Sequence, residues 1–189
     1  MAKKWVLLFL FVGVCLLVQA QPRPVFQSRN LVGILAAEKE NAFEMHTVNG
    51  IRWNNWAVGI GLGFDGYRFQ SIPAYLSLAR YFQLKKNWVY IIADGGLNFP
   101  LEKSSAPSMD NWFDSNEFKP GSYFRGGLGY AFQLSKPGKA ILMELGYSYK
   151  RIREEQVKVL PCINPPCPQT TDKLNYDFNR WSIRLGYQL

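Results

Sequence analysis

The last nine residues alternate without a fault. Trp181, Ile183, Leu185, Tyr187 and Leu189 are apolar, and Ser182, Arg184, Gly186 and Gln188 lie between them. Successive side chains on a strand point to opposite faces, so this reads as a β-strand with one greasy side and one polar side. In an open sheet, so apolar a terminal strand is an unpaired edge that invites aggregation. A closed barrel in a membrane has no edge and needs its greasy side outward. This stretch therefore predicts an all-β fold that closes on itself.

The same period recurs upstream, and the pattern predicts eight strands: 31–38, 43–53, 56–65, 73–82, 88–99, 122–134, 140–151 and 176–189. The third is the clearest, with Trp56, Val58, Ile60, Leu62 and Phe64 alternating with Ala57, Gly59, Gly61, Gly63 and Asp65. Most are near the roughly 9–11 residues that cross a bilayer at a tilt. No stretch holds an apolar period of 3.6, so helix is expected to be minor. The expected architecture is an eight-stranded antiparallel up-and-down transmembrane β-barrel.

Residues 1–20 read as a secretory signal peptide. Lys3 and Lys4 precede an uncharged apolar run from Trp5 to Val18, and Val18-Gln19-Ala20 suits a cleavage site after Ala20. The run is short for a membrane-spanning helix. Residues 21–30, with Pro22 and Pro24, read as an irregular periplasmic leader, and 31–189 as the barrel domain. Cleavage removes Cys15 and leaves Cys162 and Cys167, which in an oxidising compartment are expected to form a disulfide. Metal binding is the weaker alternative, because one C-x4-C pair without a nearby His lacks the usual four ligands. No metal and no cofactor is expected. The net charge of +8 is scattered rather than clustered, which argues against nucleic acid as a partner.

With the amino terminus in the periplasm, connections one, three, five and seven face outward. Connection five spans 100–121 and connection seven 152–175, whereas connections two, four and six are short. Long loops on one side and tight turns on the other suit an outer-membrane barrel.

The composition of the polar face separates a membrane barrel from a lipocalin-like carrier, whose large apolar residues line the inside. That face carries Gly59, Gly61, Gly63, Gly96, Gly127, Gly129, Gly146 and Gly186. Glycine weakens an exposed strand but makes room inside a narrow barrel. Aromatics such as Trp53, Trp56, Tyr149, Trp181 and Tyr187 near strand ends suit interfacial belts. The same parity turns Glu44, Asp65, Asp94 and Glu144 inward, with Arg52, Arg125, Lys150, Arg180, Arg184 and His46. Confined charges must pair, so an interior ion network is expected. The alternative is a gated polar pathway or a catalytic carboxylate. Arg80 has lipid-facing parity, explained by snorkelling to the headgroups or by a local bulge.

Several segments also carry a resemblance. Thr47-Val48-Asn49-Gly50-Ile51-Arg52-Trp53 is followed by Gly59-Ile60-Gly61-Leu62-Gly63, then Ile72-Pro73, then Ala79-Arg80-Tyr81-Phe82, then Asp94-Gly95-Gly96. In that order they resemble the small outer-membrane β-barrel proteins of Bacteroides-like bacteria, a porin-like barrel family. Leu189 departs from the Phe that ends many such barrels, and Arg80 is displaced by one residue. The resemblance implies an outer-membrane location, with outer-membrane lipids and the barrel-assembly machinery as partners. It implies no common activity.

The leading functional expectation is a non-enzymatic barrel that is structural or binds and adheres through its surface loops. Met109, Trp112, Phe113 and Phe118 in connection five are the candidate binding residues, unless they fold back onto the barrel rim. The alternatives are an outer-membrane lipid-modifying enzyme, a small gated pore and the lipocalin-like carrier. An enzyme of that type would have to use His46, the one histidine.

Overall fold

The computed structural model describes residues 23–36, 41–66, 69–101, 114–134, 138–159 and 168–189. They form nine strands: β1 (Val25–Ala36), β2 (Ala42–Trp53), β3 (Trp56–Asp65), β4 (Ser71–Leu84), β5 (Asn87–Pro100), β6 (Asp114–Lys119), β7 (Gly121–Gln133), β8 (Ala140–Val159) and β9 (Gln169–Gln188). Eight of them close a ring in the order β1-β2-β3-β4-β5-β7-β8-β9, and β9 returns to β1. All neighbours are antiparallel, and β6 adds to the far part of β8 outside the ring. The expected all-β, eight-stranded antiparallel barrel is the fold observed.

Closure is staggered. Stepping across the pairs from Val25 through Arg52, Ala57, Ala79, Ile92, Gly127, Gly146 and Ser182 returns to β1 at Leu35, ten residues further on. Such a shear in eight strands implies a tilt of about 40° and an interior that side chains fill. At one end, the turn end, Asn54 and Lys85 take positive φ values of 54° and 56° at the first of two turn residues. Positive φ there matches the right-handed twist of hairpin strands.

The polarity is that of a soluble protein turned inside out. Ile60 and Leu76 are each 66% exposed and Leu128 58%, whereas Arg184, Glu44 and Glu144 are each 1% exposed. A contiguous apolar wall of this kind does not stay single in water, so it is built to face hydrocarbon. It also disposes of the lipocalin-like alternative, whose apolar face would line the lumen. Trp53, Trp56, Phe82 and Phe132 ring the turn end of the wall, and Phe43, Phe64, Phe124 and Trp181 ring the far end. On β9 the row Trp181, Ile183, Leu185 and Tyr187 is exposed throughout, as is Leu189 just after it, while Ser182, Arg184 and Gln188 are buried.

Three sequence boundaries shift. First, β1 begins at Val25 inside the expected leader, because Gln27 and Arg29 are inward residues of a polar lumen rather than loop residues. Second, connection seven is largely strand: β8 continues to Val159 and β9 starts at Gln169. Third, connection five contains β6, which prolongs β7 across a bulge. Lys119 pairs with Arg153 and Tyr123 with Lys150, setting four steps on one strand against three on β8. Pro120 sits in that interruption, where its missing N–H costs the ladder nothing. The pairing of β4 runs unbroken through Arg80, so no bulge explains that residue. Its guanidinium lies 5.0 Å from the Trp56 ring centre and 5.3 Å from that of Phe82, toward the turn end of the wall.

Candidate functional site

The lumen is filled in layers, and each polar layer is assembled from strands distant in sequence. Bulky inward rings are accommodated by glycines directly opposite them. Tyr75 faces Gly61, Tyr90 faces Gly129, and His46 faces Gly63. A Cβ at any of these three glycines would lie inside the facing ring, so the small residue is what lets the large one lie flat.

Nearest the turn end, Tyr81 and Tyr90 stack at 4.8 Å, and the Arg52 guanidinium sits 4.2 Å from the Tyr81 ring centre and 4.4 Å from that of Trp88. Gln27 donates to Tyr81 Oη at 2.6 Å and to Gln188 Oε1 at 2.8 Å, tying β1 to β4 and β9. Leu31, Ile92 and Leu142 complete an apolar packing around these rings.

Two ion clusters follow. In one, Glu144 takes Arg125 at 3.0 Å and Arg29 at 3.5 Å and accepts from Tyr90 Oη at 3.0 Å. Arg125 also reaches Asp94 at 3.5 Å and donates to Ser182 Oγ at 2.9 Å, and Arg29 donates to Ser77 Oγ at 2.8 Å. In the other, Arg184 grips Glu44 with two N–H donors at 2.9 and 2.7 Å, the fork geometry of a strong pair. The same Nη2 lies 2.9 Å from His46 Nε2. That nitrogen also lies 3.1 Å from Glu44 Oε2, and the other ring nitrogen, Nδ1, meets Tyr75 Oη at 3.0 Å, so both ring nitrogens are engaged. Arg184 also donates to Tyr123 Oη at 3.2 Å. Nearer the far end, Lys150 donates to Asp65 at 2.7 Å and Ser71 Oγ at 3.1 Å.

An aromatic cap lies over these ions. Phe69 packs against Phe118, Tyr176 and Phe178 at 5.4, 5.2 and 6.1 Å, and Leu35 and Ile152 lie beneath. Phe118, a candidate binding residue, therefore belongs to this cap through β6 rather than to an exposed loop. Met109, Trp112 and Phe113 lie outside the described residues, as do Cys162, Cys167 and the signal segment.

Of the expected interior ions, Glu44, Asp65, Asp94, Arg125, Glu144, Lys150 and Arg184 are buried, while Arg52 and Arg180 are half-buried. Arg29 and the inward tyrosines 75, 81, 90 and 123 are parts of the network that sequence reasoning missed. The signal for Arg29 was its spacing of two from Leu31, masked by reading 21–30 as leader. Among the described residues, no cluster of three or more His, Cys, Asp or Glu side chains could hold a metal ion.

Beyond the wall, β6, β8 and β9 form a three-stranded sheet. Its exposed outer part is charged: Arg151 binds Asp177 through Nε at 2.7 Å and Nη2 at 3.0 Å, Tyr149 donates to the same carboxylate at 2.8 Å, and Lys119 binds Glu155. Hydrogen bonds from Arg151 and then Tyr149 hold the Asp177 carboxyl below its ordinary 3.8, and that from Lys119 holds Glu155 below 4.5. A lowered folded-state pKa stabilises the fold above the ordinary value, and the contribution is lost as pH falls through the folded one. Acidification from above 4.5 to well below 3.8 is therefore expected to loosen this sheet before the barrel. Amide exchange corrected for intrinsic rates checks it: 153–158 and 169–177 should lose protection relative to 140–150. Equal protection across the range would refute the assignment.

No protein-family model matches the chain, and no curated protein matches it. Solved structures do resemble it in fold. The outer membrane protein OprG from Pseudomonas aeruginosa superposes with a TM-score of 0.57 at 11% identity, over 89% of this chain and 95% of that one. Neisserial surface protein A superposes with a TM-score of 0.54 at 12% identity, over 89% of this chain and 99% of that one. The chain thus has the fold of the small outer-membrane β-barrels: a closed eight-stranded wall, apolar outside, with a packed polar interior.

Proposed function

We propose that this chain is an integral outer-membrane protein, exported by a signal segment cleaved after Ala20, which neither catalyses nor conducts and which presents the β6–β8–β9 sheet at the cell surface for binding. The observation that carries the reading is the contrast between a filled lumen and an elaborated far end. The strands of that end run about ten residues past the membrane wall. Tight turns hold the opposite end. Ion clusters and an aromatic cap occupy the lumen where a pore would need a water path.

A lipid-modifying activity is disfavoured because His46 is 3% exposed and held between Arg184 and Tyr75, out of reach of a lipid substrate. Outer-membrane lipids and the barrel-assembly machinery are the partners this reading requires. The reading includes the expected disulfide between Cys162 and Cys167, which lie in sequence between β8 and β9.

The test has two arms. In planar bilayers the purified barrel is expected to give no conductance steps. On cells, replacing 154–174 by an Asn-Gly turn, which joins the paired residues Arg153 and Asn175, should leave a folded barrel. It should also abolish adhesion to whichever of immobilised mucin, polysaccharide or matrix protein the parent cells hold. Steady conductance, or equal adhesion by parent and shortened forms to every surface, would overturn the proposal.

A further inference from the structure

Away from Arg80 and the aromatic rings, the lipid-facing wall carries a polar patch on β1 and β2. On β1 and β2 the outward pairs are, from the turn end, Phe26 with Ile51, Ser28 with Asn49, Asn30 with Thr47, Val32 with Met45, and Ile34 with Phe43. Thr47 and Asn49 straddle the midpoint between Trp53 of the lower aromatic ring and Phe43 of the upper one. Their neighbours at similar depth on the flanking strands are Ile60, Leu62 and Leu185. Asn30 and Asn49 are exposed. Thr47 donates to Asn30 Oδ1 at 2.9 Å and Asn30 Nδ2 donates to the buried Ser28 Oγ at 3.5 Å, whereas among the described residues nothing hydrogen-bonds the Asn49 side chain, which is the amide left to meet a partner.

Amides held at the centre of the hydrocarbon are costly unless a partner meets them. Lipid does not: acyl chains at that depth carry no donors or acceptors, and headgroups lie about half a bilayer away. A second copy of the same face does. A carboxamide both donates and accepts, so an Asn pairs with an Asn across a two-fold axis, as an isologous interface requires. The face bears no charge between its aromatic rings, so two copies meet without repulsion. Beside the polar patch lie two shallow apolar grooves of about 450 and 440 Å³ that share Val32 and Leu185. They are open to the side chains of an apposed wall.

We infer that the outer face of β1 and β2 is a homodimer interface within the membrane, with Asn30, Thr47 and Asn49 as its hydrogen-bonding centre. The inference rests on the wall facing lipid, which detergent phase partitioning checks separately: a barrel recovered from the aqueous phase fails that premise rather than the interface. The experiment uses the mature chain in lipid nanodiscs and in vesicles at graded protein-to-lipid ratios, with mass photometry and single-molecule co-localisation as readouts. The parent protein is expected to dimerise, and Asn30→Leu/Asn49→Leu to weaken association on the order of tenfold. The double variant should keep its heat-dependent gel mobility shift, since leucine suits the wall. A parent that stays monomeric at every ratio overturns the interface, as does a double variant that dimerises equally well. Loss of a bound lipid in native mass spectra, without any parent dimer, overturns it in favour of a lipid site.

Discussion

Arg184→Leu is expected to destabilise the barrel by about 3–5 kcal/mol, the range for stripping one partner from a buried ion pair. Arg184 is 1% exposed and is the hub at which β9 meets β2 and β7, through Glu44, His46 and Tyr123. Removing it leaves the Glu44 carboxylate desolvated, with no other cation within bridging distance among the described residues. Glu44→Gln/Arg184→Met should cost far less, because neither charge is then stranded. Denaturant unfolding of the barrel in lipid vesicles, followed by tryptophan fluorescence, measures both. A loss below about 1 kcal/mol for Arg184→Leu, of the size seen for solvent-exposed pairs, would show that water reaches the cluster.

Leu76→Arg carries the second large effect and tests which medium the wall meets. Leu76 is 66% exposed on β4, near mid-height between the aromatic rings. In hydrocarbon an arginine there costs about 2–4 kcal/mol, falling to about 0–1 kcal/mol near the interfaces. Leu84→Arg, at the turn end of the same strand where the leucine is 53% exposed, is the matched control and should be nearly silent. In water both would fall within about ±0.5 kcal/mol. Unfolding from vesicles gives the two values, and equal small costs would remove the membrane reading altogether.

The interior network and the outer sheet were legible to different degrees, for one physical reason. Strand β3 was read to the residue because a wall between lipid and a narrow lumen imposes a strict alternation of large apolar and small residues. Beyond the membrane that demand stops. Residues 153–156 and 169–173 are polar on both faces, so they carry no apolar period. They are strand because their backbones pair with each other and with β6. At the other end, the polar inward residues Gln27 and Arg29 look like a loop until the lumen itself is known to be polar. Phe118 looks like an exposed anchor until Phe69, across the mouth, is seen to receive it.

Alternation along each strand is a local property, so the sequence by itself determined the strands of the wall, which side chains face inward, and that the outside is greasy. Which acid meets which base is decided by register. A stagger of ten residues around eight strands brings Arg184 to Glu44 and Arg125 to Glu144, pairings that no spacing in the chain encodes. The cap, the outer sheet and the polar patch at Asn30, Thr47 and Asn49 arise in the same way. Each depends on residues from separate strands reaching the same height, and only the closed barrel sets that height.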